Sequence, residues 1–92
     1  MREQSWEENP KWKNLQRIDQ GDIVHLKLRD GFLYLVKVIV KSVTDAEVVG
    51  IVEAIFDYDS KMPLTGGHIL ELVNKELSFE KKYVQKIIKK AQ

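Results

Sequence analysis

The chain has 92 residues, of which 43% are hydrophobic and 32% charged, with a net charge of +1 and no cysteine. This length and composition are those of one small globular domain, and they argue against disorder of the whole chain. The lack of cysteine excludes a disulfide framework, a thiolate nucleophile and a zinc site built on sulfur. The polar N-terminus is unlike a signal peptide, and no apolar run approaches the roughly 20 residues of a membrane helix. We therefore expect a cytoplasmic protein with no membrane partner.

The first segment is a polar arm that contains one helix-start signal. Asn9 has the side chain of an N-cap, and Pro10 suits the first position of a helix. The pattern predicts a short helical lid over residues 10–16. It also predicts the domain organisation, with residues 1–20 as the arm and lid and residues 21–92 as a single small β domain.

The next segment predicts a β-hairpin. Residues 22–29 and 32–43 alternate apolar and polar side chains, which is typical of half-buried strands. They flank Asp30-Gly31, a dipeptide that strongly favours a tight turn between strands.

A third strand is predicted over residues 46–56, which are rich in Val and Ile. Gly50 inside it predicts a bulge or a sharp bend. The following segment, 57–67, contains Pro63 and a Gly-Gly pair and is predicted to be a loop. Long loops on small scaffolds are frequent binding sites.

The last quarter of the chain has two interpretations. In the first, residues 68–73 and 76–79 are strands, residues 80–83 form a helical turn, and a short closing strand starts at Val84. In the second, the apolar residues of 79–91 form the stripe of a C-terminal helix, which would make the fold α+β. Periodicity does not decide between the two for segments this short.

The order of these segments resembles that of an SH3-like small β-barrel. The resemblance rests on Gly-Asp-Ile-Val at 21–24, Glu-Leu-Ser-Phe at 76–79 and Tyr-Val-Gln-Lys-Ile at 83–87. It implies a mainly β fold, a small antiparallel barrel of about five strands, in which a Phe-ending strand, a 3₁₀ turn and a short last strand follow each other. It implies no specific family. The aromatic loops with which SH3 domains grip proline have no counterpart here, so recognition of polyproline is not implied.

Signals for catalysis, metals and cofactors are weak. The spacing of His25 and His68 predicts no metal site, and both are expected to be exposed to solvent. The sequence Asp57-Tyr58-Asp59 does not fit a calcium loop, because Lys61 would take the fifth ligand position. No Gly-x-Ser-x-Gly elbow and no phosphate-binding loop is present. We therefore expect a protein that is not an enzyme and has no cofactor.

We expect this chain to be a non-catalytic binding module for another protein. The candidate contact residues are Trp6, Asp57, Tyr58, Asp59, Lys61 and Met62. Tryptophan is enriched at interaction hot spots, so Trp6 could also anchor a homodimer. This hypothesis predicts that Tyr58→Ala and Met62→Ala weaken association.

The alternative is a small barrel that binds nucleic acid through its C-terminal lysines. These are Lys75, Lys81, Lys82, Lys86, Lys89 and Lys90. Against it, the isoelectric point near 7.9 is below the value of about 9 expected for a dedicated nucleic-acid binder. The alternative predicts affinity that falls steeply with salt.

Overall fold

The computed structural model of the chain describes residues 5–91. Within them the fold is mainly β, with one antiparallel sheet of six strands. The strands are β1 (Ser5–Trp6), β2 (Ile23–Asp30), β3 (Phe32–Val43), β4 (Glu47–Asp57), β5 (Glu76–Glu80) and β6 (Val84–Lys89). Helical structure in these residues is limited to 3₁₀ turns at Trp12–Asn14, His68–Leu72 and Lys81–Tyr83. None of these turns has the length and apolar character of a membrane-spanning helix.

The sheet curls into a half-barrel because its last strand returns to its first long strand. Strands β1 to β5 are neighbours in chain order, and β6 pairs with β2. β6 pairs with residues 23–26 of β2, and β1 pairs with Leu28 and Arg29 further along it. β2 is therefore the central strand of the structure.

The core fills the concave side of this curled sheet. It consists of Ile18, Val24, Leu26, Leu28, Val36, Val38, Val40, Val48, Val52, Ile55, Ile69, Phe79 and Val84. Alternate residues of β2 and β3 contribute six of these side chains, as the period of two in the sequence predicts. Each such side chain stabilises the fold by about 1.5–3 kcal/mol when it is fully buried.

The mainly β prediction and the hairpin are confirmed. β3 has the predicted bounds, β2 and β4 each start and end one residue later than predicted, and the helical turn before Val84 is present. The C-terminal helix over residues 79–91 is wrong. Val84 is buried and Ile87 packs against the core, while their backbone groups pair with β2. Cross-strand pairing therefore satisfies the backbone of this segment.

The predicted strand over residues 68–73 is also wrong, because His68–Leu72 is a 3₁₀ turn. Gly67 precedes it with φ of 105°, a conformation that glycine adopts without a steric penalty. The turn buries Ile69, which is part of the core.

The arm is less helical than predicted. The expected helix over residues 10–16 is reduced to the turn Trp12–Asn14. The Asn9 side chain accepts a hydrogen bond from Lys11 N at 3.0 Å and donates one to Val84 O at 3.0 Å. Asn9 thus attaches the arm to the start of β6. Residues 1–4 of the predicted arm, and Gln92, lie outside the described residues.

Candidate functional site

A groove of about 610 Å³ lies on the outer face of the sheet, opposite the core. Its lining consists of His25, Leu35, Lys37, Phe56, Tyr58, Lys61, Gln85, Lys86 and Ile88. His25 and Lys37 are cross-strand partners in the hairpin, and Lys86 pairs with His25 from the other side. A row of three basic side chains therefore crosses β6, β2 and β3.

The apolar floor of the groove depends on a bulge in β4. The register between β3 and β4 shifts between Lys37 and Val38, which leaves Glu53 as the extra residue. Because a bulge reverses the alternation of side chains beyond it, Ile55 is buried and Phe56 lies in the groove. Strict alternation from the start of β4 would have placed Phe56 in the core.

β6 contributes two further irregular positions. Its register against β2 shifts twice, which leaves Gln85 and Ile88 as extra residues. Ile88 adds apolar surface to the groove and is 42% exposed. Gln85 Nε2 donates a hydrogen bond to Glu7 O at 2.7 Å. This bond attaches one edge of the groove, which we call its rim, to the arm.

The loop after β4 begins with a tight turn that forms another part of the groove's rim. Asp57 accepts hydrogen bonds from Ser60 N through its carboxylate and from Lys61 N through its carbonyl, each at 2.9 Å. The Nζ atom of Lys61 lies 4.0 Å from the centroid of the Tyr58 ring and also donates to the Tyr58 carbonyl. Lys27 Nζ lies 4.3 Å from the same centroid. The ring of Tyr58 is thus engaged by two ammonium groups.

The positive charge of the groove affects the pKa of His25. Burial and the neighbouring charges of Lys37, Lys86 and Lys61 lower the pKa of His25 to about 4. His25 is therefore neutral near pH 7. The prediction that His25 is exposed to solvent is wrong, because the ring is half-buried on the groove floor.

One acidic side chain offsets part of this positive charge. The Glu53 carboxylate lies 3.0 Å from Lys37 Nζ. No such pair with Lys61 or Lys86 is found among residues 5–91. The groove therefore keeps an excess of positive charge over a mainly apolar floor.

The predicted lysines are dispersed over the molecule. Lys86 lies in the groove, whereas Lys81 lines a smaller cleft of about 160 Å³ beside Trp12. Lys75 precedes β5, and Lys89 ends β6. The structure therefore does not gather these residues into one patch.

Two other lysines of the set are held by acidic partners. A hydrogen bond from Lys82 to Glu8, at 3.1 Å, raises the pKa of Lys82. Lys90 Nζ lies 2.5 Å from the Asp22 carboxylate and 3.2 Å from that of Asp19. These contacts join distant parts of the chain, and both lysines are paired with carboxylates of this chain.

The residues predicted to bind a protein are partly brought together. Tyr58 and Lys61 line the groove, and Met62 beside them is 65% exposed. Asp59 lies in the same turn with its side chain exposed. Trp6 is remote from this turn in the chain, in β1, and its half-buried ring packs against the core.

Sequence reasoning missed most of the groove, namely His25, Leu35, Lys37, Phe56, Gln85 and Ile88 as lining residues. The predicted two-residue turn at Asp30-Gly31 would have paired Arg29 with Phe32, and therefore His25 with Val36. In the structure only Gly31 lies between the paired residues Asp30 and Phe32, which places His25 opposite Lys37.

Gly50 predicted a bulge, and the register does shift opposite it, between Val40 and Ser42 of β3. No comparable signal marks the bulges at Glu53 or in β6.

A second histidine takes part in a structural contact. His68 Nε2 lies 2.8 Å from the carboxylate of Asp30, which is only 2% exposed. This contact connects the turn His68–Leu72 to the end of β2, and it leaves the His68 side chain about half exposed. Within residues 5–91, no three His, Cys, Asp or Glu side chains are grouped as they would be to hold a metal ion.

Comparisons with protein-family models, with curated proteins and with solved structures found no significant match.

Proposed function

We propose that this chain is a non-catalytic binding module and that another protein docks in the outer-face groove. The observation that carries the proposal is the apolar floor framed by lysines on an open face of the sheet. The groove has a volume of about 610 Å³ and is open to solvent along its length, as a docking surface for another protein would be. Its rim is fixed by the turn at Asp57 and by the contact of Gln85 with the arm.

We further propose that the half-barrel is of the SH3-like type. The support is the pairing of β6 with β2, together with a strand containing Phe79, the turn Lys81–Tyr83 and a short last strand. A cytoplasmic location is also proposed, and the lack of cysteine supports it.

Nucleic-acid binding is the second candidate. The observation in its favour is that lysines and two aromatic rings, Phe56 and Tyr58, share one groove. It ranks second because the Tyr58 ring already contacts Lys27 and Lys61, which a stacked base would have to displace. Among residues 5–91, no arginine, the preferred residue for bidentate phosphate contacts, lines the groove.

The test is a selection of random displayed peptides on the full chain. The variant Phe56→Ser/Tyr58→Ala serves for counter-selection, after its NMR spectrum has shown that it is folded. Peptides that bind the natural chain and lose binding to the variant would support the proposal. Failure to enrich such peptides would overturn it.

An oligonucleotide titration followed by ¹⁵N–¹H NMR tests the second candidate function, nucleic-acid binding. Salt-sensitive shifts at the groove residues would place nucleic acid first. A spectrum that stays unchanged at low and at physiological ionic strength would exclude it. Sedimentation of the free chain tests the homodimer in the same samples, since a monomer at NMR concentration would exclude it.

A further inference from the structure

We infer that the groove receives an acidic segment of a partner protein that carries an apolar side chain between its carboxylates. This inference rests on the proposed function and specifies the chemistry of the partner.

The floor requires an apolar side chain. Leu35 and Phe56 are cross-strand partners, and together with Ile88 they form the apolar part of the lining. Ile88 is 42% exposed, which is a large fraction for an isoleucine in a strand. An apolar side chain of a ligand would remove this surface from water.

The rim requires negative charge. Lys37, Lys61 and Lys86 line the groove, and Lys27 joins them through its contact with Tyr58. Glu53 offsets one of these charges. Carboxylates of a ligand would offset the others, and they would do so where neighbouring apolar surface weakens screening by water.

The acidic residues of the neighbouring turn offset only part of this charge. The Asp57 carboxylate accepts a hydrogen bond from Ser60 N at 2.9 Å and also interacts electrostatically with Lys61. Asp59 is exposed and is not among the lining residues. Among residues 5–91, Lys86 forms no ion pair with an acidic side chain, and its charge is available to a partner.

The shape favours a segment of chain over an enclosed small molecule. The lining comes from four strands and one loop, and it forms an open trough across the sheet. A segment that crosses such a trough keeps its backbone accessible to water, while one side chain reaches the floor. A single-stranded nucleic acid has the required charge, but its bases would need the ring face of Tyr58, which lysines already contact.

The experiment is an NMR titration of the ¹⁵N-labelled full chain with defined probes. The probes are a short peptide alternating glutamate with leucine, a variant of it with serine for leucine, a variant with lysine for glutamate, and oligothymidylate. The glutamate–leucine peptide is expected to shift the amides of residues 35–37, 56–61 and 85–88. It should bind at least about tenfold more tightly than either peptide variant.

Matched variants locate the charge effect. Lys37→Gln/Lys86→Gln should weaken binding of the glutamate–leucine peptide about tenfold, because it removes two rim charges. Lys11→Gln/Lys75→Gln removes the same charge at exposed positions away from the groove and should leave the affinity within about twofold. Spectra of the free variants establish that each is folded.

The outcomes separate this inference from the proposed function. Equal binding of the lysine–leucine peptide in the groove would overturn the inference and leave a protein-binding groove in place. Tighter binding of oligothymidylate in the groove would overturn both. If no probe binds while peptide selection succeeds, the inference fails and the proposed function stands.

Discussion

The carboxylate of Glu53 lies 3.0 Å from the Nζ atom of Lys37, and Glu53 is also the residue that forms the bulge in β4. The same residue therefore reverses the alternation of the strand, which brings Phe56 into the groove, and offsets one charge of the rim. A single position thus links the shape of the candidate site to its charge.

Replacing this carboxylate should increase the affinity of the groove for acidic ligands. We expect Glu53→Gln to raise the affinity for the glutamate–leucine peptide about two- to fivefold, because Lys37 loses its acidic partner. Stability should change by less than about 1 kcal/mol, since the pair is solvent-exposed. Calorimetric titration measures the affinity, with Glu71→Gln as a control at an exposed position outside the groove. Equal effects of the two variants would contradict the prediction.

His25 should report on the charge of the groove. Its pKa of about 4 is lowered by burial first and then by Lys37, Lys86 and Lys61. We expect Lys86→Gln to raise the pKa of His25, whereas Lys75→Gln should leave it unchanged. An acidic ligand in the groove should raise the pKa as well, because carboxylates stabilise the imidazolium. Two-dimensional ¹H–¹³C spectra of the ring as a function of pH give the value directly, and a pKa that does not respond to Lys86 would contradict this account.

The same group predicts a pH dependence of stability. The folded-state pKa of His25 lies below the ordinary value near 6.5, so the unfolded chain binds the proton more tightly. Stability should therefore fall as the pH decreases from about 6.5 toward about 4, a window set by these two values. Urea denaturation at a series of pH values measures it. The slope in this window should be smaller in His25→Gln, and an unchanged slope would assign the effect to other groups.

Asp22 should be important for stability. Its buried carboxylate accepts hydrogen bonds from Ala91 N at 2.7 Å and Asp19 N at 2.8 Å, and it binds Lys90. Burial raises the pKa of Asp22, but these hydrogen bonds and the Lys90 charge outweigh burial and hold the pKa below its usual value.

We expect Asp22→Asn to destabilise the fold by about 1–3 kcal/mol, because the amide replaces one acceptor oxygen with a donor and leaves Lys90 with the carboxylate of Asp19 as its remaining charge partner. Urea denaturation measures the loss, with Asp45→Asn as a control in an exposed turn. The stabilisation by Asp22 should also disappear as the pH falls below about 3.8, through its folded-state pKa. Equal stability of the two variants at neutral pH would refute this role.

Gly50 should not tolerate a side chain. A Cβ atom there would lie 2.4 Å from Val38 Cγ1 and 2.7 Å from Ile39 O, closer than real contacts allow. We expect Gly50→Ala to destabilise the protein by about 1–3 kcal/mol through overpacking in the sheet. Gly66→Ala is the matched control, because a Cβ at Gly66 would meet no atom within 4 Å. Thermal denaturation of both variants measures their stability. If Gly50→Ala is as stable as the natural chain, β3 can shift away from the added Cβ atom and the prediction is wrong.

Local pattern determined much of the sheet. Alternation specified which side chains of β2 and β3 are buried, because a strand with one face in the core needs a period of two. The secondary-structure predictions that were wrong concern short segments. Residues 68–73 carry apolar spacing that suits either a strand or a helix, and the structure forms a 3₁₀ turn there that buries Ile69.

The candidate site divides in the same way. The sequence by itself singled out Tyr58, Lys61 and Lys86. An aromatic residue in a loop and lysines that are close together in the chain can be recognised from the sequence. Only the tertiary structure placed Phe56 on the outer face and joined Lys86 to His25. The physical reason is that a bulge is set by how two strands fit over a shared core, and strands distant in sequence meet only when that core closes.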